Sequence, residues 1–173
     1  MLSTEQAQYL LQLPKLVELD GQLQTILSYS QPFPFQERYT LISPDDVDFT
    51  FLYEINQSQK NQFKLTLYLM DGDTRIGLLR VDFSGQHENP QTLSDNVPAM
   101  FHPFVGKFFH YNDHHIHYYV EGYRTTLDWA LPLTDDAFPV KQIGGNPDVL
   151  AAFHSFNKII NMQTTFQINP LLI

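Results

Sequence analysis

The hydrophobic and polar positions along the chain change period several times, and each change marks an element. Ser3-Thr4-Glu5-Gln6 has the form of a capping box, with Ser3 as cap and Gln6 three residues on. Ala7, Leu10 and Leu11 follow at helical spacing, and Pro14 ends that helix. Lys15 to Tyr29 alternates weakly around Asp20-Gly21, which predicts a strand pair joined by a turn. Gln31 to Phe35 is a connector rich in Pro and Phe. Three strands are predicted at Val47–Ile55, Phe63–Met70 and Arg75–Phe83. The polar run Asn56 to Asn61 joins the first two, and Asp71-Gly72-Asp73 is a hairpin signal between the second and third. In the second strand Phe63, Leu65, Leu67 and Leu69 share a face. In the third, Leu79, Val81 and Phe83 share one face, and Leu78, Arg80 and Asp82 share the other.

A segment rich in Gly, Asn and Pro runs from Ser84 to about Phe101. Loops of that length in a compact domain are often functional. The next strand is predicted at His115–Tyr123, with Ile116, Tyr118 and Val120 pointing one way and His115, His117, Tyr119 and Glu121 the other. Residues two apart on a strand lie about 6.6 Å apart, so side chains of one face can converge on one ligand. Asn146-Pro147-Asp148 predicts a helix start with Asn146 as cap. Val149, Leu150, Phe153, Phe156, Ile159 and Ile160 form its apolar stripe. Thr164 to Ile168 is a candidate closing strand. The pattern predicts one α+β domain over residues 1–173: a central antiparallel sheet of about five strands, with helices at the N- and C-terminal ends.

Composition narrows the classes of function. The chain has 173 residues, 43% hydrophobic, and a formal net charge of −9. An acidic chain gains nothing overall from the counterion release that drives non-specific nucleic-acid binding, so any nucleic-acid contact must be local. An acidic surface also suits docking on a basic protein partner. The absence of cysteine removes disulfides and thiolate metal sites and agrees with a cytoplasmic setting. No apolar run approaches the roughly 20 residues of a membrane helix, and Met1 to Leu13 has no signal-peptide character, so no membrane partner is expected.

Six of the seven histidines fall between His87 and His117. Four readings of that cluster stand side by side. In a metal site, His115-x-His117 with Glu121 four residues on would hold Zn, Fe, Mn or Ni. This spacing is that of the first cupin metal motif, but its framing glycines and its second histidine motif are absent. In metal-free acid–base catalysis, His115 and His117 would move protons in phosphodiester cleavage, Arg80 would hold the phosphate, and His87, Tyr119 and Glu121 would assist. In a binding module the same face would recognise a nucleotide or peptide without chemistry. In a structural role the imidazoles would satisfy buried hydrogen bonds among aromatics such as Phe108, Phe109 and Tyr118. His102, His110, His114 and His154 read as surface or packing residues. Gly144-Gly145 before a helix is a poor phosphate signal, and Asp45-Asp46 and Asp135-Asp136 read as solvated turn charges. Trp129 is expected to pack under the sheet edge. No Walker A, dinucleotide or nucleophile-elbow pattern is present.

Leu79-Arg80-Val81-Asp82, His87-Glu88-Asn89-Pro90, His115-Ile116-His117-Tyr118, Glu121-Gly122-Tyr123 and Trp129-Ala130-Leu131-Pro132-Leu133 together resemble one family of small bacterial and phage-borne proteins of unknown function. The pattern there is LRLD…HxNP…HxHxYxEGY…WAxPL; in this chain the spacer between Asn89-Pro90 and His115 is longer. The resemblance implies a prokaryotic or phage setting, in which small proteins are often toxins or anti-defence factors. The leading expectation is therefore a metal-independent endoribonuclease-like toxin that requires no cofactor, with RNA as substrate and an antitoxin as partner. The alternatives are an inhibitor that binds a host defence protein through its acidic surface, and a transition-metal enzyme using His115, His117 and Glu121.

Overall fold

The computed structural model describes residues 2–29, 33–124 and 127–168. Helix α1 (Thr4–Gln12) begins with the expected capping box: the Ser3 hydroxyl accepts from Gln6 N, and the Gln6 side chain accepts from Ser3 N. Leu13 ends the helix, directly before Pro14. Strands β1 (Leu16–Leu19) and β2 (Gln22–Gln24) then pair across Asp20-Gly21. Both turn residues have positive φ, 51° and 78°, which matches the twist of a two-residue hairpin.

The remaining strands are β3 (Ile26–Tyr29), β4 (Gln36–Ile42), β5 (Thr50–Gln57), β6 (Leu65–Asp71), β7 (Gly77–Phe83), β8 (His87–Glu88), β9 (Phe108–Phe109), β10 (His115–Tyr118), β11 (Trp129–Pro132) and β12 (Thr165–Ile168). Eight of them form one sheet in the order β11-β10-β7-β6-β5-β4-β1-β2, every pairing antiparallel. The class is α+β, with a larger sheet than the five strands expected. Strands β8, β9, β11 and, the longest of them, β4 have no counterpart among the predicted strands. Only Tyr39 and Leu41 bury fully in β4, so two apolar positions carry the alternation beside a Pro-rich connector. β12 closes on β3 in parallel, in a separate two-stranded sheet.

One face of the large sheet is apolar. Tyr53 and Ile55 of β5, Leu65, Leu67 and Leu69 of β6, Leu79 and Val81 of β7 and Ile116 of β10 are all buried there. Helix α2 (Asn146–Ile159) supplies Phe153 and Phe156, whose rings stack on Tyr53 with centroids 6.2 and 5.4 Å away. Its N-cap is Gly145, one residue before the expected Asn146, while Asp148 Oδ2 accepts from Gly144 N at 2.7 Å. Lys15 is wholly buried where the ends of α1 and α2 meet. Its ammonium donates to Leu11 O, Leu13 O and Ile160 O at 2.7–3.0 Å. The partial negative charge of helix C-termini favours a cation there.

Gly72 is required by a close approach. A Cβ there would lie 2.3 Å from Thr50 Oγ1, against which the β6–β7 turn is pressed. That turn fixes the register that places Arg80 opposite Tyr68, and Asp82 opposite Thr66, on the polar face of the sheet. Across the other edge of β7, His117 stands opposite Arg80 and His115 opposite Asp82. The described residues contain no helix long and apolar enough to cross a membrane.

Candidate active site

The antiparallel register brings Arg80, Asp82, His115 and His117 onto one face of two neighbouring strands. Arg80 Nε donates to Asp82 Oδ2 at 2.6 Å, and Arg80 Nη2 lies 3.0 Å from His117 Nε2. Asp82 Oδ2 is 3.2 Å from His117 Nε2 and 3.7 Å from His115 Nε2. The other Asp82 oxygen accepts from Thr66 Oγ1 at 2.6 Å. His87 joins the group from β8, its ring centroid 4.5 Å from that of His117 and 5.8 Å from that of His115.

The backbone sets the tautomers of these rings. His117 Nδ1 faces Leu127 O at 3.0 Å, and His115 Nδ1 faces Asp113 O at 2.7 Å. A carbonyl only accepts, so both rings carry their proton on Nδ1 and expose a lone pair at Nε2. The opposite tautomer of His117 would aim a lone pair at Leu127 O and set an N–H against the Arg80 guanidinium. His87 Nε2 faces two acceptors, Asp128 O at 2.9 Å and Asn89 Oδ1 at 3.1 Å, so its proton sits on Nε2 and Nδ1 holds the lone pair. Leu127, with φ of 65°, sits in the left-handed region that a branched side chain rarely adopts. This conformation and the next residue supply two consecutive carbonyls to two histidines.

Burial sets the charge states. Desolvation pushes His117 down to about 3 and also lowers His115 and His87, so all three are neutral near pH 7. Burial alone would raise the Asp82 carboxyl. The Arg80 guanidinium and the Thr66 hydroxyl outweigh it and hold Asp82 well below the usual carboxylate range. The centre is therefore one carboxylate and one guanidinium beside neutral imidazoles.

Exposure separates the members. The His115 and His117 side chains are 1% and 0% exposed, and that of Asp82 is 11% exposed, while Arg80 is 24% exposed. Arg80 and His87 line an open cleft of about 510 Å³, whose walls are Glu88 to Gln91 on one side and Arg124, Leu127 and Asp128 on the other. The long segment after Ser84 thus forms one wall. Arg124 reaches into solvent with Nε held by Asp128 at 3.0 Å. Asn89 locks the cleft to the sheet edge. Its side chain accepts from Ala130 N at 2.9 Å and donates to Ala130 O at 2.9 Å and Phe104 O at 3.0 Å.

Four of the six residues singled out from sequence, Arg80, His87, His115 and His117, come together. Tyr119 and Glu121 do not. The strand ends at Tyr118, where the pairing with Trp129 stops, and Gly122 turns the chain with φ of 88°. Tyr119 then donates its hydroxyl proton to Leu2 O at 2.6 Å, and Glu121 Oε2 accepts from Thr4 N at 3.3 Å. Both tie down the start of α1. The carboxylate that joins the histidines is Asp82, not Glu121: His115, His117 and Asp82 offer ligand atoms all within 4.8 Å of one another. Sequence reasoning placed Asp82 beside Arg80 on the polar face but gave it no role. Asn89, Arg124 and Asp128 carried no signal of their own, although Asn89 lies within the HxNP segment. Trp129 is fully buried on the edge strand, against Phe101 and Tyr123.

Of the motif segments, Leu79–Asp82 (through Arg80) and His87–Pro90 line the cleft. Residues 2–162 match the family of unknown function DUF6978. The chain belongs to this family. No curated protein matches the chain, and no solved structure matches it.

Proposed function

We propose that this DUF6978 member cleaves phosphodiesters, with RNA as the substrate, in the cleft between His87–Gln91 and Arg124–Asp128. The observation that carries this reading is the position of Arg80. Two of its donors are tied to Asp82 and His117, so its guanidinium is held in place while part of it reaches the open cleft. A guanidinium has five N–H donors in a planar fork suited to phosphate oxygens, so donors remain for a ligand. Arg124, bound through Nε alone, offers a second set across the cleft.

In this mechanism His87, neutral because burial lowers its pKa, takes the proton of the attacking ribose 2′-hydroxyl at its free Nδ1. Arg80 and Arg124 neutralise the charge that builds on the non-bridging oxygens. The 5′-oxygen departs with a proton from solvent in the open cleft, leaving a 2′,3′-cyclic phosphate. His115 and His117 are buried too deeply to offer a substrate proton; His117 acts by holding the Arg80 guanidinium through Nε2. A toxin paired with an antitoxin in the cytoplasm is the setting this chemistry fits.

The test is incubation of purified protein with a labelled RNA oligonucleotide, followed by end-group analysis. Wild type is expected to release fragments ending in 2′,3′-cyclic phosphate. Arg80→Ala and His87→Ala are each expected to slow cleavage about 100-fold or more. Intact RNA with wild type, together with unimpaired growth of cells expressing it, would rule the reading out.

A further inference from the structure

We infer that Asp82, His115 and His117 form a binding site for one divalent first-row transition ion at the base of the cleft. Arg80 is its gate. The inference holds whether or not the cleft cleaves RNA.

The first ground is directional. His115 Nε2 is buried and has no hydrogen-bond partner among the described residues, although its ring is fixed by the bond from Nδ1 to Asp113 O. A buried nitrogen lone pair without a donor is costly, and most such groups are satisfied by something. This lone pair points into the space shared with Asp82 Oδ2, 3.7 Å away. Arg80 serves Asp82 and His117 but not His115, so the guanidinium does not account for the third member.

The second ground is spacing. His117 Nε2 and Asp82 Oδ2 both present lone pairs at a separation of 3.2 Å. The Arg80 guanidinium bridges both atoms in the metal-free protein, in the place a metal ion would take. Bond lengths of about 2.0–2.2 Å around a tetrahedral ion place neighbouring ligand atoms roughly 3.3–3.5 Å apart. The separations of 3.2 and 3.7 Å from Asp82 Oδ2 bracket that range.

The third ground lies behind the ligands. Each of the three is held from its far side: His115 by Asp113 O, His117 by Leu127 O, and Asp82 by the Thr66 hydroxyl. Metal-bound histidines nearly always donate their second N–H to a carbonyl or carboxylate, which fixes the tautomer and aims the ligand. The donor set of two imidazoles and one carboxylate selects transition ions over Ca²⁺ or Mg²⁺, which prefer oxygen. It also leaves further coordination positions free on the side of Arg80 and the cleft.

Entry of an ion requires the Arg80 Nη2 to leave His117 Nε2. Arg80 is the most exposed member, so it is the one an ion can displace towards the cleft. The ion and the guanidinium therefore compete for one nitrogen.

The experiment is titration of untagged, chelator-treated protein with Co²⁺ followed by visible absorption, and with Zn²⁺ by calorimetry, both without RNA. Wild type is expected to bind one ion per chain, with X-ray absorption showing two imidazole ligands. His115→Gln is expected to weaken Zn²⁺ binding by well over 100-fold, beyond the roughly 10–100-fold typical of losing an outer partner. Arg80→Met, which removes the competitor, is expected to tighten it several-fold. If His115→Gln does not fold, the wild-type absorption spectrum and Arg80→Met decide the matter. No saturable binding by wild type, unchanged affinity in His115→Gln, or weaker binding in Arg80→Met would each overturn the inference.

Discussion

Replacing Asp82 by alanine is expected to cost about 3 kcal/mol of folding stability, the range seen when one partner of a buried ion pair is removed. Asp82 Oδ2 receives the Arg80 Nε–H at 2.6 Å, and Oδ1 receives the Thr66 hydroxyl at 2.6 Å. Without the carboxylate, a largely covered guanidinium loses its counter-charge and a hydroxyl loses its acceptor. The loss exceeds that of an exposed pair such as Arg38–Glu54, where water replaces either partner and about 0.5 kcal/mol is expected. Urea denaturation of Asp82→Ala beside Glu54→Ala measures the contrast. Equal, small effects from both would mean that Asp82 is no part of an organised centre.

Acidification is expected to unfold the protein from the same place. His117 has a folded-state pKa of about 3, against an ordinary value of 6.5. Between those values the unfolded chain binds a proton that the folded chain refuses, so stability falls as pH falls from about 6.5 towards 3. Each pH unit in that window costs about 1.4 kcal/mol for one such group, so about 3 kcal/mol is lost by pH 4.5. His115 and His87 are lowered as well and act in the same direction. Asp82 adds to the loss at lower pH. Its depressed pKa stabilises the fold above the ordinary carboxylate value, and this stabilisation disappears as pH falls through the folded value. Denaturation midpoints at pH 7 and pH 4.5 measure the effect. A flat profile over that window would show that His117 is not held neutral.

The parts of this centre legible in the sequence were those that share a strand. Period-two alternation set His115 and His117 on one face and Arg80 with Asp82 on another, and the hairpin signal at Asp71-Gly72-Asp73 indicated neighbouring strands. The pairing of β10 with β7 lies between residues more than thirty positions apart, and nothing local encodes it. For the same reason Leu127 and Asp128 were invisible: what they give His117 and His87 are carbonyl oxygens, which every residue has. Tyr119 and Glu121 were misplaced because alternation was extended past Tyr118. Tyr119 and Val120 are both buried and Gly122 turns, which ends the strand period. The large sheet was underestimated at β4 and at the short edge strand β11; in β4 only Tyr39 and Leu41 bury fully, too few positions to mark an alternation. The N-terminal helix was legible to the residue because its capping box is a local signal.

The reading of the cleft and the reading of the buried centre share one physical statement: His115 and His117 are neutral, with their protons on Nδ1 and open lone pairs at Nε2. Long-range proton–nitrogen correlation spectra of the imidazole rings, recorded at pH 7 on metal-free protein, measure this directly. The expected result is two rings with a protonated Nδ1 and a bare Nε2, neither titrating near pH 6.5. Rings protonated on Nε2, or charged at pH 7, would contradict the account.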